Sequence, residues 1–361
     1  MWINRLTIKD FRNFTDLQVS LKNGINIIHG DNANGKTNFI EAIYFCATGK
    51  SQRAGHDREL IRFGEAEAHL QTEIQSDSDG QRQLIDVHLF RDGRKKGIAI
   101  DRISIKKLDN LLGLLLVVIF TPEDLRMIKA GPAERRAFMD LELCQLTGIY
   151  YYALKRYYQT LKQRNNLLKS IPKNPVLQDT ISVWNEPLYK YGTQIIKYRT
   201  AFAEEIGELA AEILQNITGG KEVLAVNYKP QVRIEEYAER LIKSQQRDIV
   251  LGSTSVGVHK DDLIFTIDGN DARIYGSQGQ QRTVALSVKL AEIKLIKQRT
   301  RHTPVLLLDD VLSELDENRQ AALLRHIRDL QTVITCTGTE NILGKNATNT
   351  MKMVAGKISK V

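Results

Sequence analysis

Eight consecutive residues hold the most distinctive chemistry in this chain. Gly30-Asp31-Asn32-Ala33-Asn34-Gly35-Lys36-Thr37 fits the spacing G-x-x-x-x-G-K-[S/T] of a phosphate-binding loop. The glycines let the backbone turn tightly, so several N–H groups point at one phosphate. Lys36 supplies a point charge for the terminal phosphates, and the Thr37 hydroxyl faces a Mg²⁺ ion. Asn38 begins a helical stretch whose positive end points the same way. A plain glycine-rich turn between a strand and a helix is the other reading, but it has no need of Lys36 and Thr37 together. The flanks favour the phosphate loop. Residues 24–29 (GINIIH) form a short apolar strand, and residues 38–46 place Phe39, Ile40, Ile43 and Tyr44 on one side of a helix.

A second group of residues has the chemistry that such a loop needs. Val305-Leu306-Leu307-Leu308-Asp309-Asp310 is a buried-strand pattern ending in two carboxylates, and strand ends are where ligands bind in parallel sheets. Asp309 suits Mg²⁺, directly or through water. Asp310 suits the polarisation of an attacking water. Standing alone, the pair reads equally well as two solvated acids. Upstream, Ser277-Gln278-Gly279-Gln280 begins a helical run. A serine hydroxyl, a flexible glycine and a helix N-terminus make a second anion site, or only a helix cap.

Phosphate loop, S-Q-G-Q, four apolar residues with D-D, then Leu312-Ser313-Glu314-Leu315-Asp316 follow one another in the order of the ABC-type ATPases of the SMC/RecN/RecF group. Within that group the chain resembles the RecF family of bacterial recombination and replication-repair proteins. The likeness is carried by Phe11-Arg12-Asn13-Phe14, by Asn38-Phe39-Ile40-Glu41-Ala42-Ile43 after the loop, and by Phe120-Thr121-Pro122-Glu123-Asp124-Leu125. Arg135-Arg136-Ala137-Phe138-Met139-Asp140, Lys162-Gln163-Arg164-Asn165 and Gly257-Val258-His259-Lys260-Asp261-Asp262-Leu263 extend it over nearly the whole chain. The resemblance implies an α/β ABC-type ATPase head, with mixed β-sheets and a phosphate-loop helix, and an inserted helical arm. It implies ATP and Mg²⁺ as ligands. Arg12 and Asn13 would join the nucleotide site, with Lys36 and Asp310 catalytic and Thr37 and Asp309 at the metal. Ser277, Gln278, Gly279 and Gln280 would act in trans on ATP held by a second copy. Ser313 and Asp316 would form the D-loop and Thr337 the switch. The activity implied is a weak, DNA-stimulated ATPase whose ATP-induced homodimer clamps single-strand/double-strand junctions or gaps. RecR would be its partner, with RecO and RecA downstream. An SMC-like tether and a transporter-type ATPase subunit are the alternatives. The short helical segment argues against the first, and that segment together with the basic excess argues against the second.

Several elements must position these residues. Residues 2–8 and 17–21 alternate as strands, and 68–74, 84–90 and 96–100 read as a meander. Residues 114–120 are a buried strand. From 122 to 217 the period becomes helical, and two long helices fold back on each other about Ile171-Pro172-Lys173-Asn174-Pro175. Strands return at 263–267, 305–308 and 332–336, with helices at 278–298 and 318–330. The expected division is a head lobe at 1–121, a helical insertion at 122–248 carrying DNA or dimer contacts, and a second head lobe at 249–361. Between Leu125 and Glu205 there are 13 Lys/Arg and 7 Asp/Glu, most of the chain's positive excess. Arg135, Arg136, Lys155, Arg156, Lys162 and Arg164 are the candidate contacts to DNA phosphates. The competing reading is a solvated basic face with tyrosines packed in the hairpin.

The 361 residues carry a formal charge of +8, which favours polyanionic partners. Cys46, Cys144 and Cys336 show no metal-ligand spacing and suit a reducing cytoplasm. No apolar run approaches the roughly 18 residues of a membrane span, and no signal-peptide pattern opens the chain. A cytoplasmic protein associated with the nucleoid is expected.

Overall fold

Period-two alternation at the start of the chain produces β1 (Trp2–Phe11), which buries Leu6 and Ile8 and turns Arg5 and Lys9 outward. A register shift between Ile3 and Arg5 lets Ile3 stay buried too, since one extra residue resets the face that follows. The computed structural model describes residues 1–77, 80–338 and 347–360. They divide into two compact units, 1–124 with 289–361, and 125–288.

In the first unit β1 pairs with β2 (Phe14–Ser20), and β3 (Ile25–His29) leaves for a separate sheet. After the helix α1 (Lys36–Thr48), β4 (Glu67–Gln75), β5 (Arg82–Phe90), β6 (Gly97–Ile100) and β7 (Ile103–Ser104) extend the antiparallel sheet in the order β2-β1-β4-β5-β6-β7. The other sheet gathers β3, β8 (Val117–Phe120), β12 (Val305–Asp309), β13 (Thr332–Cys336), β14 (Asn349–Val354) and β15 (Lys357–Lys360) in the order β15-β14-β3-β13-β12-β8. All its pairings are parallel except that of β14 with β15. That arrangement explains why β8 and β12 read as unbroken apolar runs: both faces of a parallel strand are covered. Helix α1 touches strands of both sheets. The one-sided helix expected from its spacing is therefore buried all round from residue 39 to 48, as a helix between two layers must be. Helix α9 (Glu317–His326) stops before the expected 330, and its N-cap is Asp316, whose side chain accepts the Arg319 amide.

The second unit contains α2 (Leu125–Lys129), α3 (Pro132–Leu146), α4 (Gly148–Ser170) and α5 (Ser182–Thr218). The two long helices expected from periodicity are α4 and α5. They run antiparallel, with Tyr150 beside Tyr198 near one end and Arg164 bonded to Asn185 near the other. Helix α3 starts at Pro132 after Gly131 with no change in composition, so periodicity alone does not separate it from its surroundings. Next come β9 (Leu224–Lys229), α6 (Ile234–Lys243), α7 (Gln245–Leu251), β10 (Asp262–Ile267) and β11 (Asn270–Asp271), whose strands form a sheet ordered β11-β10-β9. Helix α8 (Gln278–Thr300) gives residues 278–288 to this unit and 289–300 to the first.

The second unit extends to 288, whereas the sequence pattern suggested a change at 248. Three arginines tie the first part of that stretch, residues 248–262, to the helices. Arg135 of α3 is fork-bound to Asp262 at 2.6 and 2.9 Å. Arg164 of α4 meets Asp248 at 2.7 Å, and Arg199 of α5 meets Asp261 at 2.9 Å and Asp140 at 2.8 Å. Each helix thus sends a guanidinium to an acid in the stretch 248–262. Arg164 and Arg199 are fully buried, and a buried charge persists only when paired and hydrogen-bonded.

Candidate functional site

The phosphate-type loop lies where β3 turns into α1, in the first unit. Gly35 caps α1 in the left-handed region, φ 105°, a conformation that glycine adopts without strain. At Gly30 a Cβ would come within 2.3 Å of the Met353 carbonyl oxygen, so only glycine lets β14 pass that close. The loop is braced from outside. Asn13 donates from Nδ2 to the Asn34 carbonyl at 3.2 Å, and its Oδ1 accepts from Asn38 Nδ2 at 2.8 Å. The Asn34 side chain accepts the Ala355 amide at 3.0 Å. Inside the curl, the buried Lys36 Nζ donates to the carbonyls of Gly30 (2.7 Å) and Asp31 (2.9 Å).

Strand β13 lies between β3 and β12, and it brings the second group of residues to the loop. Thr335 Oγ1 donates to Asp309 Oδ1 at 2.6 Å, and Thr37 Oγ1 donates to the same oxygen at 3.2 Å. Asp310 sits in the left-handed region, φ 53°, held by its amide bond to the Thr335 carbonyl at 3.1 Å. The Ser313 hydroxyl donates to the Asp310 carbonyl at 3.0 Å. Burial, aided by the neighbouring Asp309 charge, raises the Asp310 carboxyl above the ordinary range, against the opposing pull of Lys36.

A cavity of about 330 Å³ is lined by Asn32, Ala33, Gly35, Lys36, Thr37, Asn38, Arg53, Asp309 and Asp310. Its size suits a small organic ligand, and its amides, ammonium and hydroxyl suit an anion. Gly30, Asp31, Asn34 and Asn13 shape the loop without lining the cavity. Arg12 does not line it either. Its guanidinium is engaged by the buried Glu41 through two bonds of 2.9 Å. Arg53 was missed at the sequence level. It reaches the cavity because Glu41, a lone acid on an apolar helix, also accepts from the Ser51 hydroxyl at 2.6 Å and organises the residues after α1. Thr335 was missed as well, because a threonine in an apolar strand carries no motif. Thr337 is exposed just past β13.

Ser277, Gln278, Gly279 and Gln280 belong to the second unit. Gln280's amide donates to Ser277 Oγ at 3.2 Å, and Ser277's amide donates to Gln280 Oε1 at 2.8 Å, a reciprocal capping box at the start of α8. Both Ser277 and Gln278 remain exposed. The candidate DNA contacts divide. Arg135 and Arg164 are corrected: both are buried in the ion pairs above, which take up their charge. Arg136 is half-buried and donates to the Asp261 carbonyl at 2.7 Å. Lys155, Arg156 and Lys162 are exposed on α4.

This fold and loop define an ATPase head of the SMC/RecN/RecF class. The family model described as RecF/RecN/SMC N terminal domain matches residues 2–360. At 16% identity and a TM-score of 0.60, an Smc head bound to the C-winged helix domain of ScpA shares the fold. The chain belongs to the RecF family. It is 50% identical to the DNA replication and repair protein RecF of Agathobacter rectalis, over 95% of this chain and 94% of that one. The namesake from Lachnospira eligens is 48% identical over 100% of this chain and 98% of its own. A solved structure of the recombination mediator protein RecF-ATP in the RecFOR pathway is 33% identical with a TM-score of 0.93, covering 100% of this chain and 97% of that one.

Proposed function

We propose that this chain is an ATP-binding protein of DNA replication and repair whose nucleotide site acts as a switch for pairing with a second copy on DNA. The observation that carries this reading is the convergence of Lys36, Thr37, Asp309 and Asp310 on one cavity. Relatives that cover the whole chain are RecF proteins, and solved RecF structures carry ATP or ATPrS, which supports ATP as the ligand.

The loop amides and the Lys36 ammonium bind the phosphates. A Mg²⁺ ion fits this site, because the hydroxyl of Thr37 and the carboxylate of Asp309 are hard oxygen donors meeting at one point. Those two residues would hold it, and the ion would neutralise phosphate charge. Asp310 orients the attacking water and accepts its proton. Its carboxylate is one methylene shorter than glutamate, and a misplacement of about 1 Å can cost on the order of 100-fold. Slow hydrolysis and a long-lived ATP-bound state follow. Ser277 of a second copy completes the site over the terminal phosphate, giving a two-fold dimer. Lys155, Arg156 and Lys162 contact DNA phosphates at single-strand/double-strand junctions or gaps. RecR is the proposed partner, with RecO and RecA acting later, in the cytoplasm at the nucleoid.

The test is the size of the protein in solution with and without ATP and gapped DNA. ATP should drive dimer formation, and DNA should prolong it with a steep salt dependence. A chain that stays monomeric under both conditions would overturn the switch.

A further inference from the structure

The tyrosines of the α4–α5 hairpin divide into two populations. Tyr150 and Tyr157 are fully buried and pack the hairpin. Tyr152 is instead 52% exposed, and it meets the half-buried Tyr191 of α5 edge to face, ring centroids 6.1 Å apart. The Arg156 guanidinium lies 6.0 Å from the Tyr191 centroid and the Lys190 ammonium 5.9 Å from it. The Lys155 ammonium lies 5.9 Å from the Tyr151 centroid. The hydrogen bond from Arg156 pulls the Tyr191 hydroxyl below the usual phenol range.

Along α4 the charge beside these rings is of one sign, and on α5 the acid Glu186 lies one turn before Lys190. No Asp or Glu occurs between Glu142 and Asp179, so α4 contains none. Lys155, Arg156 and Lys162 are exposed, and none of them makes an ion pair with a described carboxylate. A cation without a carboxylate partner keeps its field for a ligand. Aromatic rings held at the surface among such cations match what unpaired nucleotides require: a flat apolar surface for the base and a positive groove for the phosphates. Duplex DNA presents phosphates but keeps its bases stacked, so it has no use for the rings.

We infer that Tyr152 and Tyr191, flanked by Arg156 and Lys190, form a stacking platform for the unpaired bases of a single strand. The inference rests on the proposed DNA-binding role of this unit and assigns it a polarity. The rings recognise the single-stranded side of a junction, and Lys155 and Lys162 hold backbone of either kind.

Binding of the full chain with ATP to a fluorescein-labelled oligo-dT and to a labelled blunt duplex tests it. Tyr152→Ala and Tyr191→Ala should each weaken oligo-dT binding about tenfold, leave duplex binding within about twofold, and leave the salt slope unchanged. Tyr152→Phe and Tyr191→Phe should bind as the parent does, since a phenyl ring stacks without the hydroxyl. Lys155→Gln with Lys162→Gln should weaken both ligands and flatten the salt slope by about two on duplex and about 1.4 on oligo-dT. Unchanged oligo-dT binding in the Tyr152→Ala, Tyr191→Ala double variant overturns the platform, as does an equal loss on duplex. Failure of the parent protein to bind either ligand overturns the DNA-binding reading itself, a result distinguishable from loss of the platform alone.

Discussion

At the residue scale, the site depends on one carboxylate oxygen with two hydroxyl donors. Thr37 comes from the loop and Thr335 from β13, and both donate to Asp309 Oδ1. Thr335 is therefore a positioning residue for Asp309. Thr335→Val keeps the shape and removes the donor. It should cost about 1 kcal/mol in stability and weaken Mg²⁺-dependent ATP binding several-fold (roughly 1 kcal/mol again), while Mg²⁺-free binding stays unchanged; titrations with and without the ion check it. Lys36→Ala should abolish nucleotide binding, and undiminished ATP affinity would remove the loop from the site. The raised Asp310 carboxyl has a kinetic consequence. As the proposed base, Asp310 works only when deprotonated, so hydrolysis should be lost as pH falls, and its acid limb should lie above the ~3.9 of an ordinary aspartate. Asp310→Asn should bind ATP and lose that limb together with the activity. The loop and the double aspartate were legible in the sequence because their residue types are set by phosphate and metal chemistry. Arg53 and Thr335 were not legible. Arg53 takes its place from Glu41, an acid with no phosphate or metal chemistry to announce it, and Thr335 from Asp309 on the neighbouring strand.

At the element scale, the second unit is organised by buried ions that sequence reading took for surface charge. Arginine spacing on α3 and α4 looks the same whether the guanidinium meets a phosphate or Asp262 and Asp248, and the acids lie about a hundred residues away. That is why the helices were legible from periodicity while two of the six basic candidates were misplaced. Arg164→Ala leaves Asp248 buried without its partner and should destabilise the chain by about 3–5 kcal/mol, seen as a lower denaturation midpoint. Any loss of DNA binding by that variant should follow unfolding alone. His259 belongs to the same region. Its Nε2 faces the Thr254 carbonyl at 3.0 Å, so it carries the proton, and Nδ1 accepts from the Tyr157 hydroxyl at 2.8 Å. Burial, with smaller pushes from Lys260 and Arg136, lowers its pKa to about 4. The unfolded chain has the ordinary value of about 6.5, so between those two values it binds a proton that the native state does not. Stability should fall as pH drops from about 6.5 toward 4. His259→Gln should flatten that dependence in denaturation curves, and an unchanged slope would show that another group titrates there.

At the scale of the whole molecule, the class of fold was legible from the order of four motifs, because the strands between them alternate or run apolar as their layers demand. A single chain displays no second copy, and the proposed sharing of the nucleotide gives Ser277 two roles to separate. It caps α8 through the reciprocal bonds with Gln280, a contribution worth about 1 kcal/mol, and it is exposed, as a residue that reaches a second copy's phosphate must be. Replacement by arginine removes both roles. Ser277→Asp separates them, because aspartate caps helices as well as serine does but sets a negative charge against the terminal phosphate. Both variants should bind ATP with the parent's affinity, since Lys36 and Thr37 are untouched, and both should remain monomeric with ATP in sedimentation. The aspartate variant should also unfold at the parent's temperature, whereas the arginine variant should melt a few degrees lower. If Ser277→Asp dimerises with ATP as the parent does, the serine is only a cap, and the nucleotide is not shared between two copies at this position.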